Sequence, residues 1–279
     1  MADPSLSIII PAKSSGGFIL NTVDVLLNYL QQHWHGQFEV VVSVNGALAQ
    51  VQETQAILLA KYAQDARVVI HQHLAPKGKG AALQSAFLST KYELVSFIDA
   101  DLPFDLAFLG LAKDAVNEGA QLVVGNRRLS ESRVHLPTKL LPSFFKRHVF
   151  GLLYNSAVRL LFGIKQTDTQ CGIKLMTRAF ATEFFCHLTC HGFSYDVELF
   201  LLAKGHDKKV TSIPVTLMHE HGQSTLRLGG ELIRTVKALA HLKHKENKGE
   251  YQPRPVLTAP QNEYLQLTSD DWGISPAVN

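Results

Sequence analysis

Two carboxylates separated by one residue follow a short apolar run in the first half of the chain. Residues 93–98 read Glu-Leu-Val-Ser-Phe-Ile, and Asp99 and Asp101 come directly after them. At the end of a strand, two such side chains can approach the same ion. Mg²⁺ and Mn²⁺ prefer oxygen ligands of this kind and can bridge to phosphate oxygens. A bare Asp-x-Asp pattern is common, so a pair of solvated loop aspartates is the alternative explanation.

Three basic residues could act on an anionic ligand beside this pair. Lys79 lies in the glycine-rich turn of residues 76–80, where it is either a substrate ligand or a solvated turn lysine. Arg127 and Arg128 follow the apolar run of residues 122–124. Because adjacent side chains of an extended segment point in different directions, we expect at most one of the two arginines to contact a ligand directly.

Three further carboxylates lie in the second half of the chain. Asp168 opens a glycine-containing loop, where an Asx turn or a helix cap is the structural explanation. Asp196 and Glu198 would share one face of an extended segment and would lie on different faces of a helix. Capping or ion pairing that supports the fold is the structural alternative for this second pair.

The elements that position these residues alternate between strand and helix patterns. Short β-branched runs predict strands, and runs with apolar residues at helical spacing predict the helices between them. This alternation predicts a doubly wound, largely parallel sheet, in which ligands collect at the carboxyl ends of the strands. The predicted strands are 6–11, 38–44, 67–71, 93–98, 122–124 and 210–217, and the predicted helices are 21–32, 50–62, 81–88, 104–118, 144–162, 178–188 and 231–246, with a mobile loop at 130–142.

The composition excludes several classes of protein. Lys and Arg total 27 against 24 Asp and Glu, and a net charge of 27 − 24 = +3 is too small to indicate nucleic-acid binding. Positive charge is instead local, around residues 127–147 and 234–248, where it could meet an anionic substrate or a membrane surface. Three cysteines and an N-terminus without signal-peptide features predict a reducing, cytoplasmic location. Residues 144–164 are interrupted by charge and are a poor membrane-spanning candidate.

Three other sequence features do not match a metal-site or P-loop motif. Cys186 and Cys190 could share a helix face, but no second ligand pair has the spacing of a metal site, so buried thiols are favoured. His219-Glu-His221 lacks the spacing of a zinc protease motif. The turn at residues 77–80 does not match a P-loop, which requires a longer glycine spacing and a Ser or Thr after its lysine.

Six motifs follow one another along the chain. They are Ser7-Ile-Ile-Ile-Pro-Ala12, Gly78-Lys-Gly-Ala81, Phe97-Ile-Asp-Ala-Asp-Leu102, Gly125-Asn-Arg127, Asp168-Thr-Gln-Cys-Gly172 with Lys174, and Phe193-Ser-Tyr-Asp-Val-Glu-Leu199. This ordered series resembles the family 2 glycosyltransferases of GT-A fold, and within that family it looks like the dolichyl-phosphate glucose and mannose synthases and their bacterial polyprenyl-phosphate relatives. The resemblance runs from about residue 6 to residue 226, and the block at residues 168–172 with the block at 193–199 is more specific than Asp-x-Asp.

The resemblance implies an α/β fold of GT-A type, with a Rossmann-like, mostly parallel central sheet flanked by helices. It also implies Mg²⁺ or Mn²⁺ as the cofactor, with Asp99 and Asp101 as the metal ligands. Asp168 and Asp196 would be catalytic, Asp168 as an acceptor-orienting residue or a base. The nucleotide sugar would be bound by Pro11, Ala12, Lys13, Asn45, Lys79, Asp99, Asp101 and Arg127, and the acceptor phosphate by Arg127, Arg128 and Lys174.

The implied activity is inverting transfer of a hexose from a nucleoside diphosphate sugar to a polyprenyl phosphate at a membrane surface. Residues 130–159 would guide the lipid, with Phe144, Phe145, Phe150 and Leu152 as apolar contacts and Lys146 and Arg147 near the headgroups. A soluble acceptor, whose hydroxyl would need a base, is one alternative. A non-catalytic sugar-nucleotide-binding protein is the other.

Two segments depart from the family pattern, and they affect the expected donor. Residues 13–17 stand where the family usually has Tyr-Asn-Glu, and residues 44–47 stand where it usually has Asp-Asp-Gly-Ser. Both departures remove carboxylates expected near the base and ribose. The sequence therefore does not decide between a donor of UDP-glucose type and one of GDP-mannose type. The predicted organisation is a catalytic domain at 1–226, a basic amphipathic helix at 227–248 and a flexible tail at 249–279.

Overall fold

The structure, a computed structural model, describes residues 2–13, 17–73, 78–135, 141–192, 194–218 and 228–253. In these ranges the chain forms an alternating series of strands and helices, as the sequence predicts. The strands are β1 Leu6–Lys13, β2 Phe38–Asn45, β3 Val68–His73, β4 Leu94–Ile98, β5 Leu122–Asn126, β6 Arg133–Val134, β7 Ile173–Thr177, β8 Val210–Pro214 and β9 Thr216–Leu217. The helices are α1 Ile19–His33, α2 Leu48–Tyr62, α3 Lys79–Phe87, α4 Phe108–Asn117, α5 Leu141–Phe162, α6 Arg178–His187, α7 Tyr195–Gly205 and α8 Leu228–Asn247.

The central sheet has the strand order β3-β2-β1-β4-β7-β5-β8. Adjacent strands of this sheet pair in parallel except at β7, which runs antiparallel to both β4 and β5. The prediction of a mostly parallel sheet flanked by helices is therefore confirmed. The parallel strands β1, β2, β4 and β5 end at one edge of the sheet, and that edge receives the candidate site.

Each face of the sheet carries its own hydrophobic core, which explains why the strands are apolar on both sides. In β1, Ile8 and Ile10 pack against the first core and Ile9 packs against the second. The first core includes side chains from α1, α2 and α4, and the second includes side chains from α3, α5, α6, α7 and α8. The result is a three-layered α/β arrangement that holds the strand ends rigidly.

The structure corrects three details of the predicted elements. β7 lies in a segment for which no strand was predicted, and it separates β4 from β5. The single strand predicted at 210–217 is two strands, of which β9 leaves the main sheet and pairs in parallel with β6. β6 itself lies in the predicted loop at 130–142, of which residues 136–140 lie outside the described residues.

The C-terminal helix packs on the rest of the molecule. Leu239 and Leu242 of α8 belong to the second core, and Tyr251, inside the predicted tail, is only 3% exposed. The division of the chain at residues 226 and 248 stays a prediction, and residues 254–279 lie outside the described part of the chain. Among the helices described, none is long and apolar enough to cross a membrane.

Candidate active site

A tight turn after β4 presents the pair of aspartates. The Leu102 amide donates to the Asp99 carbonyl at 3.0 Å, and Leu102 has a φ of 43°, which is uncommon for a residue other than glycine. The Thr22 hydroxyl of α1 donates to the Ala100 carbonyl at 2.6 Å and fixes the middle of the turn. Asp99 and Asp101 are both partly exposed. The turn therefore holds two carboxylates at the sheet edge, where a ligand can reach them.

Asp99 is enclosed by a lysine on one side and a glycine on the other. Its carboxylate forms an ion pair with Lys79, and its amide donates to the Gly172 carbonyl at 3.1 Å. A β-carbon at Gly172 would overlap the Asp99 carboxylate, so any larger residue at this position would displace that carboxylate. Burial alone would lower the pKa of Lys79, but the charges of Asp99 and Asp196 outweigh it and raise that pKa. Lys79 is therefore a charged partner of the site and not a solvated turn lysine.

Arg127 and Asp168 form a clamp beside the aspartate turn. The guanidinium donates to the carboxylate through Nε at 2.7 Å and Nη2 at 2.9 Å, and the Arg127 amide adds a third bond at 3.0 Å. Asp168 is fully buried, whereas the Arg127 side chain is 37% exposed. Burial would raise the pKa of Asp168, but the hydrogen bonds and charge of Arg127 hold it below its ordinary value. This geometry favours the orienting alternative for Asp168 over the base.

The Arg128 guanidinium lies next to α5. Its amide donates to the Asn126 side chain at 3.0 Å, and a β-carbon at Gly151 of α5 would lie 3.7 Å from its Nη2 atom. Burial lowers the pKa of Arg128, and the neighbouring charge of Asp168 opposes that effect. The two adjacent arginine side chains therefore lie in different places, and Arg127 is the one beside the aspartates.

Helix α5 holds the loop that carries Asp168. The Asn155 side chain accepts hydrogen bonds from the Thr169 amide at 2.9 Å and from the Thr169 hydroxyl at 2.8 Å. Asn155 itself is buried, and its amide group donates to the Gly151 carbonyl at 2.8 Å. The role of Asn155 was not predicted from the sequence. The available signal was an amide at a position that faces the core, next to Tyr154 and one turn before Val158.

Lys174 and Asp196 form a second ion pair beneath the site. The Lys174 ammonium lies 2.6 Å from the Asp196 carboxylate, donates to the Cys171 carbonyl at 2.7 Å and lies 5.3 Å from the centre of the Phe97 ring. Lys174 has no exposed surface. The predicted contact between Lys174 and an acceptor phosphate is therefore corrected: in this geometry the ammonium supports Asp196. Burial raises the pKa of Asp196, and the charge of Lys174 opposes that rise.

The two acidic side chains of α7, Asp196 and Glu198, point in different directions, as expected for a helix. Asp196 meets Lys174, whereas Glu198 is buried against Lys245 of α8 at 2.9 Å. For Glu198 the structural alternative, ion pairing that supports the fold, is the one observed. Asp196 remains next to the site, because its charge also acts on Lys79.

The residues predicted for the nucleotide lie at the ends of β1 and β2. Pro11, Ala12 and Lys13 end β1, and Lys13 lies beside Asn45 in the parallel register. Asn45 is buried and donates to the Ser43 carbonyl at 3.2 Å, whereas Lys13 is exposed. These residues share the sheet edge with Asp99, and their contact with a nucleotide stays a prediction. Residues 14–16 and 74–77, which follow β1 and β3 in the sequence, lie outside the described ranges.

The carboxylate oxygens at this site suit a divalent ion that is also bound by phosphate. In the part of the chain that the structure describes, no group of three or more His, Cys, Asp or Glu residues could enclose a metal by itself. Mg²⁺ commonly takes one or two carboxylates and completes its coordination with substrate phosphates and water. Asp99 and Asp101 match that pattern, and the charge of Asp99 also acts on Arg127. The arrangement can therefore hold a metal and neutralise a diphosphate at one place.

Comparison with known proteins identifies the class. Residues 7–185 match the model of glycosyl transferase family 2, so the chain belongs to that family and is a glycosyltransferase. It is 28% identical over 239 residues to a dolichyl-phosphate beta-glucosyltransferase of Trichomonas vaginalis, with 81% of this chain and 69% of the relative covered. It is 25% identical to the dolichyl-phosphate beta-glucosyltransferase of Saccharomyces cerevisiae, with coverage of 88% and 76%.

One further relative and two solved structures are also similar to the chain. The chain is 27% identical to glycosyltransferase AglD of Haloferax volcanii over 77% of its own length and 33% of that protein. Among solved structures, glucosyl-3-phosphoglycerate synthase from Mycobacterium tuberculosis, in complex with Mn²⁺, UDP and phosphoglyceric acid, has a TM-score of 0.56 at 18% identity and covers 86% of this chain and 78% of its own. Mannosyl-3-phosphoglycerate synthase from Rubrobacter xylanophilus has the same TM-score at 15% identity, with coverage of 91% and 77%. These structures support the GT-A fold.

Proposed function

We propose that the protein transfers a hexose, with inversion, from a nucleoside diphosphate sugar to a polyprenyl phosphate, using Mg²⁺ or Mn²⁺. The observation that carries this proposal is that the loop at residues 168–172 joins two parts of the site: Gly172 accepts from the Asp99 amide, and Asp168 holds Arg127. Lys79 pairs with Asp99 at the same edge of the sheet. Family membership and the two dolichyl-phosphate beta-glucosyltransferases among its relatives support the acceptor class. UDP-glucose and GDP-mannose are the donor types that we expect.

The donor half of the reaction uses the turn after β4. Asp99 and Asp101 would hold the divalent ion, which neutralises charge on the leaving diphosphate. Lys79 keeps the Asp99 carboxylate in place through its ion pair and brings positive charge to the same side. The missing side chain at Gly172 leaves the space that the Asp99 carboxylate occupies beside Lys79.

The acceptor half of the reaction depends on the Arg127–Asp168 clamp. A phosphate monoester has a second pKa of about 6 and is already anionic at neutral pH, so it needs less help from a base than a hydroxyl does. Arg127 would bind this phosphate with the exposed part of its guanidinium. Asp168 is buried behind it and sets the plane of the guanidinium through two parallel hydrogen bonds. Asp168 thereby acts as a positioning residue for Arg127.

The outer face of α5 supports contact with a lipid surface. Several large apolar side chains of this helix are exposed although its inner face packs in the second core. An exposed apolar stripe of this kind marks a surface that binds lipid or protein. The exposed side chains are Val149, Leu152, Leu153, Leu160 and Leu161, and Arg159 is exposed among them. The side chains of residues 144–148, also predicted to meet the lipid, lie outside the described residues, and Phe150 is only partly exposed. Peripheral contact with the cytoplasmic membrane face is part of the proposal.

A transfer assay tests the proposed function directly. The purified chain is incubated with radiolabelled UDP-glucose or GDP-mannose, with a polyprenyl phosphate in detergent, and with Mn²⁺, Mg²⁺ or a chelator. We expect label in the lipid phase with one donor and with a metal only. Label in a soluble sugar acceptor, with none in lipid, would favour the soluble-acceptor alternative. Absence of transfer and of donor hydrolysis under all conditions would favour a non-catalytic binding protein.

A further inference from the structure

A carboxylate outside the proposed site gathers five hydrogen bonds from three parts of the chain. Glu198 of α7 is 1% exposed and accepts from Lys245 of α8 at 2.9 Å and from the Tyr251 hydroxyl at 2.9 Å. It also accepts from the Thr189 amide at 2.9 Å, the Thr189 hydroxyl at 2.8 Å and the Cys190 amide at 2.7 Å. A buried carboxylate is stable only when its oxygens are satisfied in this way. Glu198 therefore ties the C-terminal helix to the loop at residues 188–192.

Glu198 is charged in the folded protein. Burial would raise the pKa of its carboxyl, but the hydrogen bonds from Lys245, Thr189 and Cys190 outweigh burial and lower that pKa. Charge-assisted bonds to backbone amides are stronger and more directional than neutral ones. The backbone of Thr189 and Cys190 is thus held in one position relative to α7.

The same loop packs directly against the turn that carries Lys79. A β-carbon at Gly80 would lie 2.7 Å from the Cys190 carbonyl, and one at Gly78 would overlap the His191 carbonyl. The Ala81 amide points at the His191 carbonyl at 3.4 Å. Since these are contacts between backbones, with no flexible side chain between them, a shift of the loop must displace the start of α3.

Lys79 lies between these two glycines and forms the ion pair with Asp99. We propose that Glu198 is a positioning residue for the donor site: with Lys245 and Tyr251 it fixes the Thr189–Cys190 backbone, which fixes the Lys79 turn and through it Asp99. The C-terminal helix is then coupled to the binding of a nucleoside diphosphate. This inference rests on the proposed function for its ligand, but the coupling itself has an observable that needs no ligand.

Helix α8 offers a matched control for this coupling. Glu246, the residue next to Lys245, pairs with Lys243 at 2.7 Å and with Lys204 of α7 at 3.1 Å. This pairing also connects α8 to α7, but it does not include the Thr189–Cys190 backbone. Lys245→Gln and Glu246→Gln therefore each remove charge pairing between the same two helices. Only the first removes a bond to Glu198.

The test compares Lys245→Gln, the milder Tyr251→Phe and the control Glu246→Gln with the unaltered chain. Amide hydrogen exchange is measured at Ala81, Thr189 and Cys190, and Mn²⁺-UDP and Mn²⁺-GDP affinities are measured by calorimetry. We expect Lys245→Gln to speed exchange at these amides by about tenfold, the factor expected for losing one hydrogen bond to a charged group. Tyr251→Phe removes one hydroxyl and keeps the ring, so its effect should be smaller and in the same direction. Both variants should lower the affinity for whichever of the two nucleotides the unaltered chain binds.

The outcomes separate this inference from the proposed function. Faster exchange at Thr189 and Cys190 with an unchanged rate at Ala81 would show that the loop and the Lys79 turn are independent, and would overturn the coupling. Equal effects of Glu246→Gln and Lys245→Gln at Ala81 would also overturn it, because general loosening of α8 would then suffice. If the unaltered chain binds neither nucleotide, the proposed donor function fails, and the exchange pattern still decides the coupling.

Discussion

Asp99 depends on the absence of a side chain at Gly172. Because a β-carbon there would overlap its carboxylate, Gly172→Ala must turn Asp99 away from the ligand or break its ion pair with Lys79. We expect Mn²⁺-dependent nucleotide binding, measured by calorimetry, to weaken at least about tenfold, the cost of one charge-assisted bond. Gly110→Ala on α4 is the control, because a β-carbon there meets nothing within 4 Å. Unchanged metal-dependent binding in Gly172→Ala would remove Asp99 from the donor site.

The Arg127–Asp168 clamp has a pH dependence of known sign. The folded-state pKa of Asp168 is lowered, so its contribution to stability is present above the unfolded carboxyl pKa and is lost as pH falls through the folded value. Asp168→Asn should lower the free energy of unfolding by about 1 to 3 kcal/mol at neutral pH. In urea titrations, this difference from the unaltered chain should shrink only below about pH 4, where ordinary carboxyls protonate. A difference that disappears between about pH 6 and 8 would point to another group.

The residues that could be placed from the sequence are those whose position follows from a strand end. Asp99 and Asp101 follow an apolar strand and lie at its carboxyl edge. Lys174 was expected to bind an acceptor phosphate because of the family resemblance, whereas it lies in β7 with its side chain buried against Asp196. Nothing local distinguishes a lysine that binds phosphate from one that pairs beneath the site. Only the position of α7, set by long-range packing, decides between them.

At the scale of elements, long periodic segments were predictable and short ones were not. The strand at residues 6–11 and the helix at 178–188 were predicted within two residues of β1 and α6. β6 and β9 have two residues each, too few to show alternation, and their pairing joins segments about 80 residues apart in sequence. β7 was missed for a different reason, because βα alternation predicts only parallel strands.

Helix α5 connects a possible lipid surface to the clamp through Asn155. Asn155→Ala leaves the Thr169 amide without its acceptor inside the fold, which should cost about 1 to 3 kcal/mol in the free energy of unfolding. It should also slow transfer, because Asp168 precedes Thr169 and its loop would lose this support from α5. Ser156→Ala, at an exposed position of the same helix, is the control for helix stability. If thermal unfolding and transfer rates of Asn155→Ala match those of the control, the loop does not depend on α5.

At the scale of the whole molecule, the site belongs to the sheet edge and its supports come from both faces. From one face, Thr22 of α1 contacts the aspartate turn. From the other face come Lys79 of α3, Asn155 of α5 and Asp196 of α7. The alternating pattern of the sequence predicts the layers but not these cross-connections. They join residues far apart in the chain, so they depend on packing that a local pattern does not encode.

The proposed contact of α5 with a lipid surface can be tested on the whole molecule. Leu153 and Leu160 are 67% and 88% exposed, and burying one leucine in an apolar medium is worth about 1.5 to 3 kcal/mol. In flotation with anionic liposomes, Leu153→Glu with Leu160→Glu should abolish most of the binding of the unaltered chain. Leu48→Glu on α2, where Leu48 is 58% exposed, adds charge away from α5 and should retain binding. The same pair of changes should spare transfer to a short, water-soluble prenyl phosphate, because Arg127 and Asp99 are untouched. Equal loss of flotation in the Leu48 variant would show that net charge, and not the α5 face, governs membrane contact.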